Sequence, residues 1–135
     1  MQLRQKKERE LGEVYDRRLE NMRKRNGEFM THDALASDAP RVIAYVKTAD
    51  EVGRFYQEMQ RNDQAETAYR LVFNALSVVT GLSDSEVLDE YAGTLEHYQA
   101  LLIELKKPDE AARVEEAVKG VRNKLSEISK VRAAQ

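Results

Sequence analysis

The sequence has no cysteine and no tryptophan, only two prolines and two histidines, and no extended apolar run. Each shortage excludes something. Without cysteine there are no disulfides, no thiol nucleophile and no thiolate metal site, though this fits any cellular compartment. His32 and His97 lie far apart, in no metal-ligand spacing. The six glycines fall singly, so no glycine-rich phosphate loop occurs. Few turn-forming residues speak against a sheet-rich fold. No segment approaches a membrane-spanning length, and residues 1–26 carry no apolar stretch of the signal-peptide kind. A cytoplasmic location is therefore the expectation.

What remains suits helices. Apolar residues make up 41% of the 135 and charged residues 34%, the mixture of amphipathic helices around a single core. The net charge of −2 gives no general attraction to nucleic acid. Its distribution is uneven, since residues 1–27 hold nine Lys/Arg against five Asp/Glu. Within this segment Leu11, Tyr15, Leu19 and Met22 form one narrow apolar stripe. The spacing predicts a charged helix over residues 1–27 ending at Gly27, then a connector over 28–37 pinned by Phe29, Met30 and Leu35.

Beyond the connector the chain repeats itself. Sliding it by 46 residues places Ser37–Asp38 on Ser83–Asp84 without a gap. The same offset matches Tyr45 with Tyr91, Thr48 with Thr94, Asp63 with Asp109, Ala65 with Ala111, and Val72 with Val118. Each unit, 38–82 and 83–132, reads as a helical hairpin. Ser-Asp supplies the N-cap, and Pro40 sits harmlessly in a first turn. The first hairpin turns at Arg61-Asn62-Asp63, and its second helix runs to about Thr80, stopped by Gly81. The second hairpin turns at Lys106-Lys107-Pro108-Asp109, and its last helix continues to about Val131.

These residues resemble the tetratricopeptide repeat, in particular the longer variety of kinesin light chains. Gly53 and Tyr56 match its small–aromatic pair on the first helix, and Ala65 and Tyr69 the pair on the second. In the second unit His97-Tyr98-Gln99-Ala100-Leu101-Leu102 leads into Pro108-Asp109-Glu110-Ala111-Ala112. There Gln99 replaces the small residue and Glu115 the aromatic, as in a capping repeat. The resemblance implies an all-α, right-handed helical-repeat fold of about five helices.

Chemistry is hard to find in the sequence. Adjacent carboxylates such as Asp89/Glu90 and Glu115/Glu116 point different ways on a helix and read as solvated faces. Tyr45, Tyr56, Tyr69, Tyr91 and Tyr98 fall at core spacing, which suits packing better than stacking on bases. No catalytic residue, cofactor or metal is expected, and the chain reads as a non-catalytic adaptor for a protein or peptide. The resemblance places the partner-binding groove on the first helices. Its candidates are Lys47, Asp50, Arg54, Gln57 and Glu58, then Gly93, Glu96, Ala100, Ile103 and Glu104. The Lys and Asn pattern that clamps a C-terminal carboxylate in this family is missing. Two alternatives stay open. Residues 1–26 can pair between chains, making a homo-oligomer. Their arginines and lysines can also meet nucleic acid or a membrane surface, which interleaved Glu8, Glu10, Glu13, Asp16 and Glu20 disfavour.

Overall fold

The computed structural model describes residues 2–31 and 37–134, and every regular element among them is a helix. In chain order these are α1 (Gln2–Thr31), α2 (Ala39–Glu58), α3 (Asn62–Phe73), α4 (Leu76–Leu82), α5 (Ser85–Glu104) and α6 (Pro108–Ala134). The all-α class is as expected. No described helix is long and apolar enough to cross a membrane.

Helices α2 and α5 begin alike. Asp38 and Asp84 hold extended backbone, and their carboxylates accept from the amides of Arg41 (3.4 Å) and Val87 (3.0 Å). They also end alike. Gln60 (φ 58°) and Lys106 (φ 60°) turn left-handed. The Arg61 amide then donates to Tyr56 O (2.8 Å) and the Lys107 amide to Leu102 O (2.9 Å). Paired bonds from Gln60 to Gln57 and from Lys106 to Ile103 complete the same helix-ending motif 46 residues apart. The first turn thus comes earlier than its expected position at Arg61-Asn62-Asp63, because Asn62 already opens α3.

Two glycines expected as stops do not act as stops. Helix α1 runs through Gly27 to Thr31 and buries Phe29 edge-on against Tyr45, with ring centroids 5.3 Å apart. Burying a phenylalanine contributes about 2 kcal/mol, which exceeds the roughly 1 kcal/mol that a helical glycine costs. The α1 stripe is also shorter than expected. Tyr15 stacks on Phe55 (3.9 Å), while Leu19 and Met22 are buried, but Leu11 is 51% exposed. Residues 32–36, including His32 and Leu35 of the expected connector, lie outside the described residues, as does the Met30 side chain.

The second correction concerns the second helix of the first hairpin, expected to run unbroken from the turn at Arg61-Asn62-Asp63 to about Thr80 and to stop at Gly81. This stretch breaks at Asn74–Ala75, giving six helices in all among the described residues. At the break the carbonyls of α3 find donors on other helices. Asn26 Nδ2 donates to Leu71 O (2.9 Å), and the Tyr91 hydroxyl shares its proton between Val72 O (2.8 Å) and Phe73 O (3.1 Å). Helix α4 then passes through Gly81 and ends at Ser83, whose φ of 53° is left-handed.

Helix α5 is the hub. It packs against α2, α3, α4 and α6, and Leu88, Tyr91, Ala92, Leu95, Leu101 and Leu102 are wholly buried on it. Helix α1 covers α2 and α3 from one side, and α6 covers α5 from the other. Gly53 of α2 lies directly beneath the Tyr69 ring of α3, so that an added Cβ would stand 2.5 Å from Tyr69 Cζ. This close approach is the role expected of a small residue at that position.

Candidate functional site

Helices α2 and α5 lie side by side, which places Asp50 of α2 against His97 of α5. Asp50 is buried, with Oδ1 2.6 Å from His97 Nδ1 and Oδ2 3.1 Å from Arg54 Nε one turn along α2. Beside this pair opens a cleft of about 300 Å³, lined also by Asp89, Glu90 and Gly93 of α5 and Arg122 of α6. Arg122 in turn pairs with Glu96 at the rim. The Thr94 hydroxyl also faces this cleft but is buried and bonded to Glu90 O (3.1 Å), so it is not presented as a nucleophile.

The expected groove residues divide into three groups. Asp50 and Gly93 line the cleft, while Arg54 and Glu96 pair with its charged members. Gln57 is committed inward, its Oε1 accepting from the Tyr69 hydroxyl (2.7 Å). Lys47, Glu58, Ala100, Ile103 and Glu104 are exposed and do not line this cleft. Ile103, at 61% exposure, is the most open large apolar side chain among the described residues. Asp89 and Glu90, expected as solvated faces, both line the cleft, and His97 and Arg122 join it without having been groove candidates. The 46-residue register aligns Asp50 with Glu96 and so does not single out His97 as the partner of Asp50.

The tyrosines are structural. Tyr45, Tyr56, Tyr69, Tyr91 and Tyr98 are all buried, leaving no aromatic platform for bases on these residues. Burial pushes the Tyr45 phenol up to about 12, against the lowering effect of the Asn26 hydrogen bond. Tyr69 is raised by burial and then by the Asp50 carboxylate, with Arg54 opposing. Burial also raises Tyr56, reinforced by its hydrogen bond to Asp16, and Tyr91, reinforced by neighbouring Tyr45. All therefore stay neutral near pH 7; Tyr56, Tyr69 and Tyr91 donate their hydroxyl protons, while the Tyr45 hydroxyl accepts from Asn26 Nδ2 (3.2 Å).

A second charged cluster locks the two hairpins together. Buried Glu66 of α3 accepts from Lys107 Nζ at 2.8 and 2.9 Å and pairs with Arg70. The Glu66 hydrogen bond raises the Lys107 ammonium, against a lowering by desolvation. At the equivalent turn Arg61 faces Asp16 of α1 (3.7 Å). Among the described residues no group of three or more acidic, His or Cys side chains could hold a metal ion. No family model, curated protein or solved structure matches the chain.

Proposed function

We propose that this chain is a non-catalytic, tetratricopeptide-like adaptor that binds a protein or peptide partner across the faces of α2 and α5. The observation that supports this reading most directly is the shared construction of the two hairpins. Equivalent Asp N-caps and equivalent left-handed turns, 46 residues apart, set α2 and α5 side by side with a cleft along one edge. Its polar groups are largely tied to one another, as Asp50 is to Arg54 and His97. Such paired charges suit recognition by hydrogen bonding more than proton transfer to a substrate. Exposed Ile103 supplies an apolar anchor further along the same helix.

Helix α1 spends Leu19, Met22 and Phe29 on the core of its own chain, which favours the adaptor reading over pairing between chains. The test uses the partner captured from the native source. Arg54→Glu and Glu104→Arg should each weaken its affinity at least about fivefold while the far-UV circular dichroism stays unchanged. Unaltered affinity in both variants would remove the groove assignment.

A further inference from the structure

A second cleft, of about 390 Å³, lies between α1 and α2 on a different face of α2 from the Asp50 cleft. Its size falls within the range of ligand sites. Met22 and Tyr45, both buried, and Ala44 give it an apolar floor, while Arg18, Arg25 and Arg41 project around it. Among the described residues no acidic side chain lines it. The three guanidinium groups are roughly half-exposed and reach carboxylates beyond the lining. Arg18 reaches Glu51 (3.4 Å), Arg25 reaches Glu28 (3.3 Å) and Arg41 reaches Asp38 (3.2 Å). Exposed pairs of this kind are weak and exchange readily with an incoming anion. Arg18 is also steadied from below, its guanidinium lying 4.8 Å from the Tyr15 ring centroid.

We propose that this cleft binds an acidic peptide segment, with its carboxylates on Arg18, Arg25 and Arg41 and one apolar side chain on the Met22–Tyr45 floor. Charge complementarity carries the choice. The planar fork of arginine matches a carboxylate with two parallel hydrogen bonds, and three forks surround one apolar patch. A flat anionic membrane is a poorer fit, because the Met22–Tyr45 floor is buried between α1 and α2, where a protruding side chain reaches and a flat surface does not. The site is independent of the α2–α5 face, and either can fail alone.

The test is fluorescence anisotropy on the full chain, with a labelled peptide of alternating glutamate and leucine as the probe. A lysine–leucine peptide of the same length is the control. Saturable binding of the acidic peptide, weakening as salt rises, is expected. Arg18→Glu, Arg25→Glu and Arg41→Glu should each reduce affinity about tenfold, the loss of one charge-assisted pair. The matching Arg→Lys variants, which keep the charge, should fall between, and Lys119→Glu on exposed α6 should change nothing. Four results overturn the proposal. The three reversals bind as tightly as the parent; the basic peptide binds equally well; phosphatidylserine vesicles bind through these arginines while the peptide does not; or the same reversals abolish a dimer seen by sedimentation.

Discussion

The two hairpins start and turn alike, yet their second helices differ. In the first, residues 62–82 break into α3 and α4; in the second, α6 runs unbroken from Pro108 to Ala134. The difference lies in the neighbours. The first hairpin is enclosed between α1 and α5, and each sends a donor to the end of α3, Asn26 from one and Tyr91 from the other. A helix can stop inside a protein when its last carbonyls are satisfied from elsewhere. Helix α6 is covered by α4 and α5 on one side only, and Glu115, Glu116 and Lys119 face solvent on the other. Among the described residues no side chain reaches in to take its carbonyls, and it continues. The close packing differs too. Where Gly53 lies beneath Tyr69, the equivalent positions 46 residues on hold Gln99 and Glu115, which need no such approach.

The most severe way to break this comparison is Gly53→Ala. The Tyr69 ring cannot retreat, because it is fully buried, bonded to Gln57 and stacked on Tyr98. Overpacking should cost about 3 kcal/mol, and the better helix propensity of alanine returns about 1 kcal/mol. A net loss of about 2 kcal/mol is expected in urea denaturation. Gln99→Ala at the equivalent position should stay within about 0.5 kcal/mol of the parent. Equal stability of the two variants would erase the asymmetry.

Next in size is Tyr91→Phe, which keeps the ring and removes the hydroxyl from Val72 O and Phe73 O. Val72 O keeps the Ala75 amide (3.1 Å), but Phe73 O loses the hydroxyl, and the change should cost about 1.5 kcal/mol. Amide exchange should accelerate in α4 more than in α6, because only the first hairpin depends on that hydroxyl. Faster exchange spread evenly over both hairpins would instead mean a general loss of stability. Tyr45→Phe, which removes only an acceptor for Asn26 (3.2 Å), should cost less.

The N-caps at Asp38 and Asp84, a helix boundary at Pro108 and the buried tyrosines were legible, because each follows from local backbone chemistry or helical spacing. The helix ends were not. A search for glycine stops points to Gly27 and Gly81, but the left-handed positions belong to Gln60, Ser83 and Lys106. A left-handed residue with a side chain costs about 1–2 kcal/mol, offset at Gln60 and Lys106 by the paired backbone bonds of the turn. The break after Phe73 depends on donors distant in sequence, which no local rule can find. The site divides similarly: the helical face containing Asp50 and Gly93 was legible, whereas His97 required knowing which turn of α5 meets α2.

The subtlest contrast is between the two turn cations, Arg61 and Lys107. They occupy the same position 46 residues apart, and each reaches an acid on an earlier helix. Arg61 and Asp16 are 45% and 55% exposed at 3.7 Å, so Arg61→Ala should change stability by no more than about 0.5 kcal/mol. Lys107 instead gives both its short bonds to a carboxylate buried at the junction of the hairpins. Lys107→Ala should therefore lower the urea midpoint more than Arg61→Ala does. The sign with pH is fixed by the ammonium, which the Glu66 hydrogen bond holds above its ordinary 10.5. A raised value means that the folded chain keeps this proton more tightly than the unfolded one. The Lys107 contribution is thus whole below pH 10.5 and is lost as pH climbs through the higher folded value. Midpoints measured at neutral pH and above pH 10.5 should show the gap between parent and Lys107→Ala narrowing, while Arg61→Ala tracks the parent throughout. A gap that persists unchanged would mean that Lys107 acts through its alkyl chain, and that the two turns differ in packing rather than charge.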